Sequence, residues 1–263
     1  LQPRGFHARD DARAIRDDQY AHYYQIYRLY HAGAKPPEIE PLMREYGQKY
    51  PDRPGLKNIC IHKGLFPPAV EAQFPHLLGY CNVSDVGKAA KDWPQLNFVI
   101  YHSGYRWAGG PSSVAQAWEQ VERAGRVDWV SDLAEIPAKF GVRNVYADLG
   151  QIFAQSTMAD PRVCAFMLGT LVKGLGADHV VWGTDAIWTG SPQWQIEALR
   201  RLEIPEGMRR QFGFAPLGAA DGPVKRAILG ENNARLYGYS RKMKAEIPHD
   251  RVSTWKALYD KHG

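Results

Sequence analysis

The chain has 263 residues, 44% of them hydrophobic, which is enough to bury one large core and gives no sign of a second independent module. Lysine plus arginine exceed aspartate plus glutamate by 33 − 28 = 5, and the charges are scattered except around Arg241, Lys242 and Lys244, a pattern that speaks against a nucleic-acid footprint. No run approaches the length of a membrane span and no signal peptide is visible, so a cytoplasmic protein with no membrane partner is expected.

The chain opens on Leu1-Gln2-Pro3 rather than Met, which leaves room for a removed upstream segment, targeting sequences included. Ile15, Tyr20, Tyr23, Tyr24, Tyr27 and Tyr30 recur at helical spacing, and the helix they describe over residues 11–31 ends at Gly33 and Pro36. Its tyrosine stripe suits core or interface packing better than a ligand surface. A shorter helix through Ile39, Leu42, Met43 and Tyr46 follows. Residues 1–56 therefore read as a helical N-terminal segment.

From Lys57 the pattern alternates strand and helix. Lys57-Asn58-Ile59-Cys60-Ile61-His62 is an apolar run stopped by Lys63-Gly64. Ser84 reads as the cap of a helix bearing Val86, Ala89, Ala90 and Trp93. Asn97-Phe98-Val99-Ile100-Tyr101-His102 is a second run of the same form. A long connection carries Tyr105, Arg106 and Trp107, then helical patches on Val114, Ala117, Trp118 and Val121 and on Leu133 and Ile136. Asn144 to Gly150 is a third strand. Asp160-Pro161 caps a helix to Lys173, and that helix feeds Val180-Val181-Trp182-Gly183-Thr184-Asp185. Ser191-Pro192 caps another helix through Leu202. The three cysteines, Cys60, Cys81 and Cys164, lack a Cys-x-x-Cys spacing and fall in or beside apolar segments, so reduced, buried thiols are expected.

Strands that alternate with helices run parallel with right-handed crossovers, and all their C-terminal ends then lie on one face. His62, His102 and Asp185 would converge there. Two imidazoles and a carboxylate suit a divalent cation, zinc first, with manganese or iron as alternatives. Such a cation acidifies a bound water, and Asp185 can ligate while relaying a proton. Taken singly, a strand-end histidine is usually structural and an aspartate opening a loop is usually a turn residue. Asp148 also ends a strand, but it has no cation-liking neighbour in sequence and is given a lesser role. Lys63 could hold a substrate carboxylate. Tyr105, Arg106, Trp107 and Trp188 follow the active strands and could receive a flat, anionic, aromatic acid.

His62 in Ile-Cys-Ile-His-Lys-Gly, His102 in Val-Ile-Tyr-His-Ser-Gly, Asp185 in Val-Val-Trp-Gly-Thr-Asp and the terminal Asn-Ala-Arg-Leu-Tyr together resemble the amidohydrolase-2 family, over residues 57–238. That resemblance implies a metal-dependent (β/α)8 TIM barrel related to aminocarboxymuconate semialdehyde decarboxylase, with only about its last four β/α units in this chain. It places His62 as a metal ligand, His102 as a ligand or catalytic residue, and Asp185 as the metal-binding carboxylate. The family's opening His-x-His strand is absent from the 263 residues.

The implied organisation is a helical segment 1–56, a half-barrel 57–240 and a basic helical tail 241–263. Half a barrel leaves bare strand edges, so completion by a missing N-terminal half or by another chain, as in a homo-oligomer, is expected. Three functions are compatible with this pattern. In a hydrolase, metal-activated water attacks a small substrate while Asp185 relays the proton and His102 steadies the oxyanion. A decarboxylase of an aromatic or unsaturated acid would use the same residues. A non-catalytic barrel remnant would serve as a binding subunit.

Overall fold

The computed structural model describes residues 57–107 and 110–239, with a few isolated positions on either side. The tyrosine-striped helix, the shorter helix after it and the basic tail from Arg241 fall outside these two stretches. The chain divides into two compact units, Leu1–Leu56 and Lys57–Gly263, and the second carries the sheet.

Among the described residues four strands, β1 Asn58–His62, β2 Asn97–Tyr101, β3 Val145–Asp148 and β4 Val180–Val181, form one parallel sheet in the order β1-β2-β3-β4. Parallel neighbours in sequence order require a crossover between each pair. These are supplied by α1 Val86–Asp92, then α2 Gly110–Ala124 and α3 Val130–Phe140, then α4 Gly150–Ala159 and α5 Pro161–Leu175. This is the β/α alternation expected from sequence, present as four units in an open sheet.

The pleat sorts the strand side chains onto two faces. Phe98, Ile100, Val145, Ala147 and Val180 enter the main core with the helices. The opposite face carries Cys60 and His62 on β1 and Val99 and Tyr101 on β2, followed by Tyr146 and Asp148 on β3 and Val181 on β4, as the strand register requires. Val99 and Val181 pack there against Leu236, from α7 Asn232–Leu236, with Tyr146 beside them. This sorting corrects one expectation about the cysteines. Cys164 is buried, but Cys60 is exposed, because it shares the open face of an edge strand with His62.

Two local readings also change. Ser84 does not cap α1; the flanking residue is Asp85, which makes no cap bond, and its carboxylate accepts both contacts from the Lys63 ammonium, at 2.8 and 2.9 Å. The fourth strand stops at Val181 instead of running to Asp185. Beyond it the carbonyls leave the ladder: Trp182 O accepts from Asn233, and Thr184 O accepts from the Thr189 hydroxyl and the Gln195 amide. The caps at Asp160 and at Ser191, which opens α6 Pro192–Arg201, are formed as the sequence suggests. Among the described residues no helix is long and apolar enough to cross a membrane.

Candidate functional site

His62 is the last residue of β1, His102 follows the last residue of β2, and Asp185 lies four residues beyond β4, so all three stand at the C-terminal edge of the sheet. His102 and Asp185 sit in the left-handed region, with φ of 55° and 49°, and these bends turn both side chains back across the strand ends. The His62 and His102 rings meet edge to face with centroids 4.6 Å apart. His102 Nδ1 lies 3.7 Å from Asp185 Oδ2. Residues separated by 40 and 83 positions therefore gather around one imidazole.

His102 is only 5% exposed. Burial holds its imidazole below the ordinary histidine pKa, Asp185 works against that shift, and His62 adds to it. The ring is thus kept neutral near pH 7. The backbone N–H of Gln151, in the first turn of α4, donates to Nδ1 at 3.4 Å. A helix N-terminus aimed at a ring nitrogen favours a lone pair there over a proton. The amidohydrolase family model matches residues 55–239.

The chain belongs to the amidohydrolase family.

No curated protein sequence matches it. Among solved structures it is similar to 5-carboxyvanillate decarboxylase from Sphingomonas paucimobilis, at 15% identity and a TM-score of 0.40, over 78% of this chain and 54% of that one. It is also similar to a candidate 2-pyrone-4,6-dicarboxylic acid hydrolase from Pseudomonas putida, at 16% identity and a TM-score of 0.38, over 70% and 64% of the two chains. A third is dihydroxybenzoic acid decarboxylase from Polaromonas sp. JS666 with bound manganese and 2-nitroresorcinol, at 14% identity and a TM-score of 0.33, over 77% and 55%. The amidohydrolase chain thus spans little more than half the length of the two decarboxylases.

Amidohydrolases are metal-dependent, and the chain's donors fit a divalent cation in type: two imidazoles and a carboxylate, with His62 exposed and Asp185 partly so. Among the described residues no three His, Cys, Asp or Glu side chains are yet placed to close on one ion. His62, His102 and Asp185 are neighbours without forming a complete shell.

The other sequence candidates stand apart from this cluster. Lys63 is buried, and its ammonium donates to Tyr80 O at 2.7 Å as well as to Asp85, so it has no capacity left for a substrate carboxylate. Arg106 pairs with Glu71 and Asp128 and stacks between Trp107 and Trp129, at 5.2 and 5.3 Å from their centroids. Tyr105 and Trp107 are buried core residues, and the Tyr105 hydroxyl donates to Ser113 O at 3.4 Å. These four are structural. Trp188, 83% exposed on the short helix Ala186–Thr189, is the one candidate aromatic left open to solvent.

Asp148 is what the sequence reading undervalued. Burial pushes its carboxyl up to about 7, the nearby His102 backbone amide opposes that rise, and the Asp185 charge adds to it. A signal was available in the flanking glycines. A Cβ at Gly150 would stand 2.7 Å from His102 Nδ1 and 3.0 Å from Asp148 Oδ1, and one at Gly183 would stand 3.0 Å from the Asp148 carboxyl carbon.

Proposed function

We propose that this amidohydrolase is a metal-dependent hydrolase of a small molecule, with its centre at His62, His102 and Asp185. The observation that carries the reading is the approach of these three side chains at one end of the parallel sheet, at 4.6 and 3.7 Å. His62 and Asp185 would hold the ion, zinc by preference, with manganese or iron as alternatives, and His102 would complete the shell or face the substrate. A bound divalent cation supplies Lewis acidity toward a substrate oxygen and lowers the pKa of water.

The chain's own groups supply the rest. Asp185, partly exposed, accepts a proton from the attacking water and returns it to the leaving group. His102, kept neutral by burial, faces the developing oxyanion as a hydrogen-bond donor. Carboxy-lyase chemistry is the second reading. It is favoured by the Asp148 carboxyl, which retains its proton up to about pH 7 beside His102 and can resupply the proton that carbon needs once CO2 leaves.

Among the described residues β1 and β4 end the sheet, and such edges invite further strands, so a second copy of the chain or other polypeptide completing the site belongs to the same proposal.

The test is metal analysis of the full chain and of Asp185→Asn. Wild type should retain zinc or manganese through dialysis and the variant should lose it. Equal metal in both proteins would remove Asp185 from the site, and none in either would return the chain to a non-catalytic binding role. Release of CO2 from a hydroxybenzoate probe, against cleavage of a lactone probe, separates the two chemistries.

A further inference from the structure

We infer that Gln195 and Thr189 are positioning residues, which clamp the Thr184–Asp185 turn and so aim the Asp185 carboxylate at His102. Asp185 stands in the left-handed region, at φ 49° and ψ 40°, a conformation that persists outside glycine only where its surroundings fix it. The direction of a side chain follows from the two peptide planes that meet at its Cα, and here the carbonyls of both planes are held. The Thr189 hydroxyl donates to Thr184 O at 2.6 Å and shares its proton with Asp185 O at 2.9 Å. The Gln195 amide donates to the Thr189 oxygen at 2.9 Å and to Thr184 O at 3.3 Å.

A threonine that returns its hydroxyl to the carbonyl four residues back is, by itself, the ordinary closure of a short helix, here Ala186–Thr189. Gln195 is not explained that way. It lies on α6, whose buried positions are Gln195 and Leu199, one turn apart, and it is fully buried. A leucine or methionine at such a position would bury carbon alone. The amide instead commits its N–H groups to the turn that carries Asp185, and its Oε1 finds no donor among the described residues. It is not free to reverse, because Thr184 O can only accept. A buried oxygen without a partner costs stability that apolar packing would keep, so the position is fitted to the turn and not to the core.

What Asp185 does at the end of this clamp rests on the proposed metal centre, but the clamp itself can be read in metal-free protein. The full chain is compared as wild type, Gln195→Met, Thr189→Val and Thr189→Ser. Methionine matches glutamine in length without the amide, valine matches threonine in shape without the hydroxyl, and serine keeps the hydroxyl. The readouts are the Cα and Cβ 13C signals of Asp185, which report its backbone conformation and are assigned by their loss in Asp185→Asn, the imidazole 15N signals of His102, assigned by their loss in His102→Gln, and Mn2+ affinity from the decline of its free EPR signal.

Gln195→Met and Thr189→Val should each move the Asp185 signals off their left-handed positions, shift those of His102 and leave the His179 imidazole in place. Both should weaken Mn2+ binding by about tenfold or more, as loss of a partner behind a ligand does, whereas Thr189→Ser should stay within about threefold of wild type. Asp185 signals unmoved in either of the first two variants, or moved as far by serine as by valine, would overturn the inference. Moved Asp185 signals with unchanged Mn2+ affinity would show the site indifferent to the turn and would equally reject the assignment. If wild type binds no Mn2+, the metal reading fails while the Asp185 signals still judge the clamp. If Gln195→Met does not fold, the two variants of half-buried Thr189 decide: valine must move Asp185 and serine must not.

Discussion

Asp148 shows how much at the residue scale depends on partners distant in the chain. Its carboxyl is raised from 3.8 to about 7 because burial removes water from the charged form, and that gives metal-free protein a defined pH dependence. The folded state binds this proton more tightly than the unfolded chain does. Its contribution to stability is therefore full below about pH 3.8 and is lost as the pH rises through about 7. His102 has the opposite slope, since burial lowers its pKa and acid costs the fold a buried neutral ring. Urea midpoints for wild type and Asp148→Asn isolate the first effect. Stability of wild type relative to the variant should fall steadily from pH 4 to pH 7, and a constant difference over that range would mean that the carboxyl ionises freely. The same dependence on distant partners explains the misread residues. Arg106 looks like an anion receptor in its loop, but Glu71 and Asp128, 35 and 22 residues away, neutralise it.

At the scale of elements, the strands and helices were legible because their signals are local. Alternating apolar runs, Pro161 after Asp160 and Pro192 after Ser191 each act within a turn or two. What was not legible is the contact between elements. Gly174 sits in α5 where a periodic reading offers no reason for glycine, and a glycine inside a helix costs about 1 kcal/mol relative to alanine. The structure supplies the reason: a Cβ there would lie 2.7 Å from Ala134 Cβ in α3 and closer still to its carbonyl, so the two helices pack backbone to side chain. Backbone on one side cannot rotate away. Gly174→Ala should therefore destabilise by about 1–3 kcal/mol despite its better helix propensity, the usual range for overpacking. A thermal melt reads the sign directly, and a raised Tm would show that the interface yields.

For the whole molecule, the open sheet raises the question of what ties its two ends together. The Asn233-Ala234-Arg235-Leu236-Tyr237 run, which in sequence carries only a family likeness, does this with side chains, together with Asn232 before it. Asn232 donates to Ala177 O at 2.8 Å and Val180 O at 2.7 Å, Asn233 to Trp182 O at 2.9 Å, and Arg235 to Asp178 O at 2.7 Å. At the other end of the sheet, Asn58 of β1 donates to Leu236 O at 2.8 Å. Helix α7 thus bonds both edge strands or their approaches and lays Leu236 across Val99 and Val181. Asn232 is fully buried, so Asn232→Ala would leave two carbonyls without that donor, and the buried one, Val180 O, without water to replace it. An unmade buried bond costs about 1–3 kcal/mol, and for a domain of this size each kcal/mol lowers Tm by about 2–4 °C. The expected loss is several degrees, with Asn232→Asp no better, because a carboxylate presents acceptors to acceptors. A melt in which Asn232→Ala matches wild type would show that the sheet is held by its apolar faces alone.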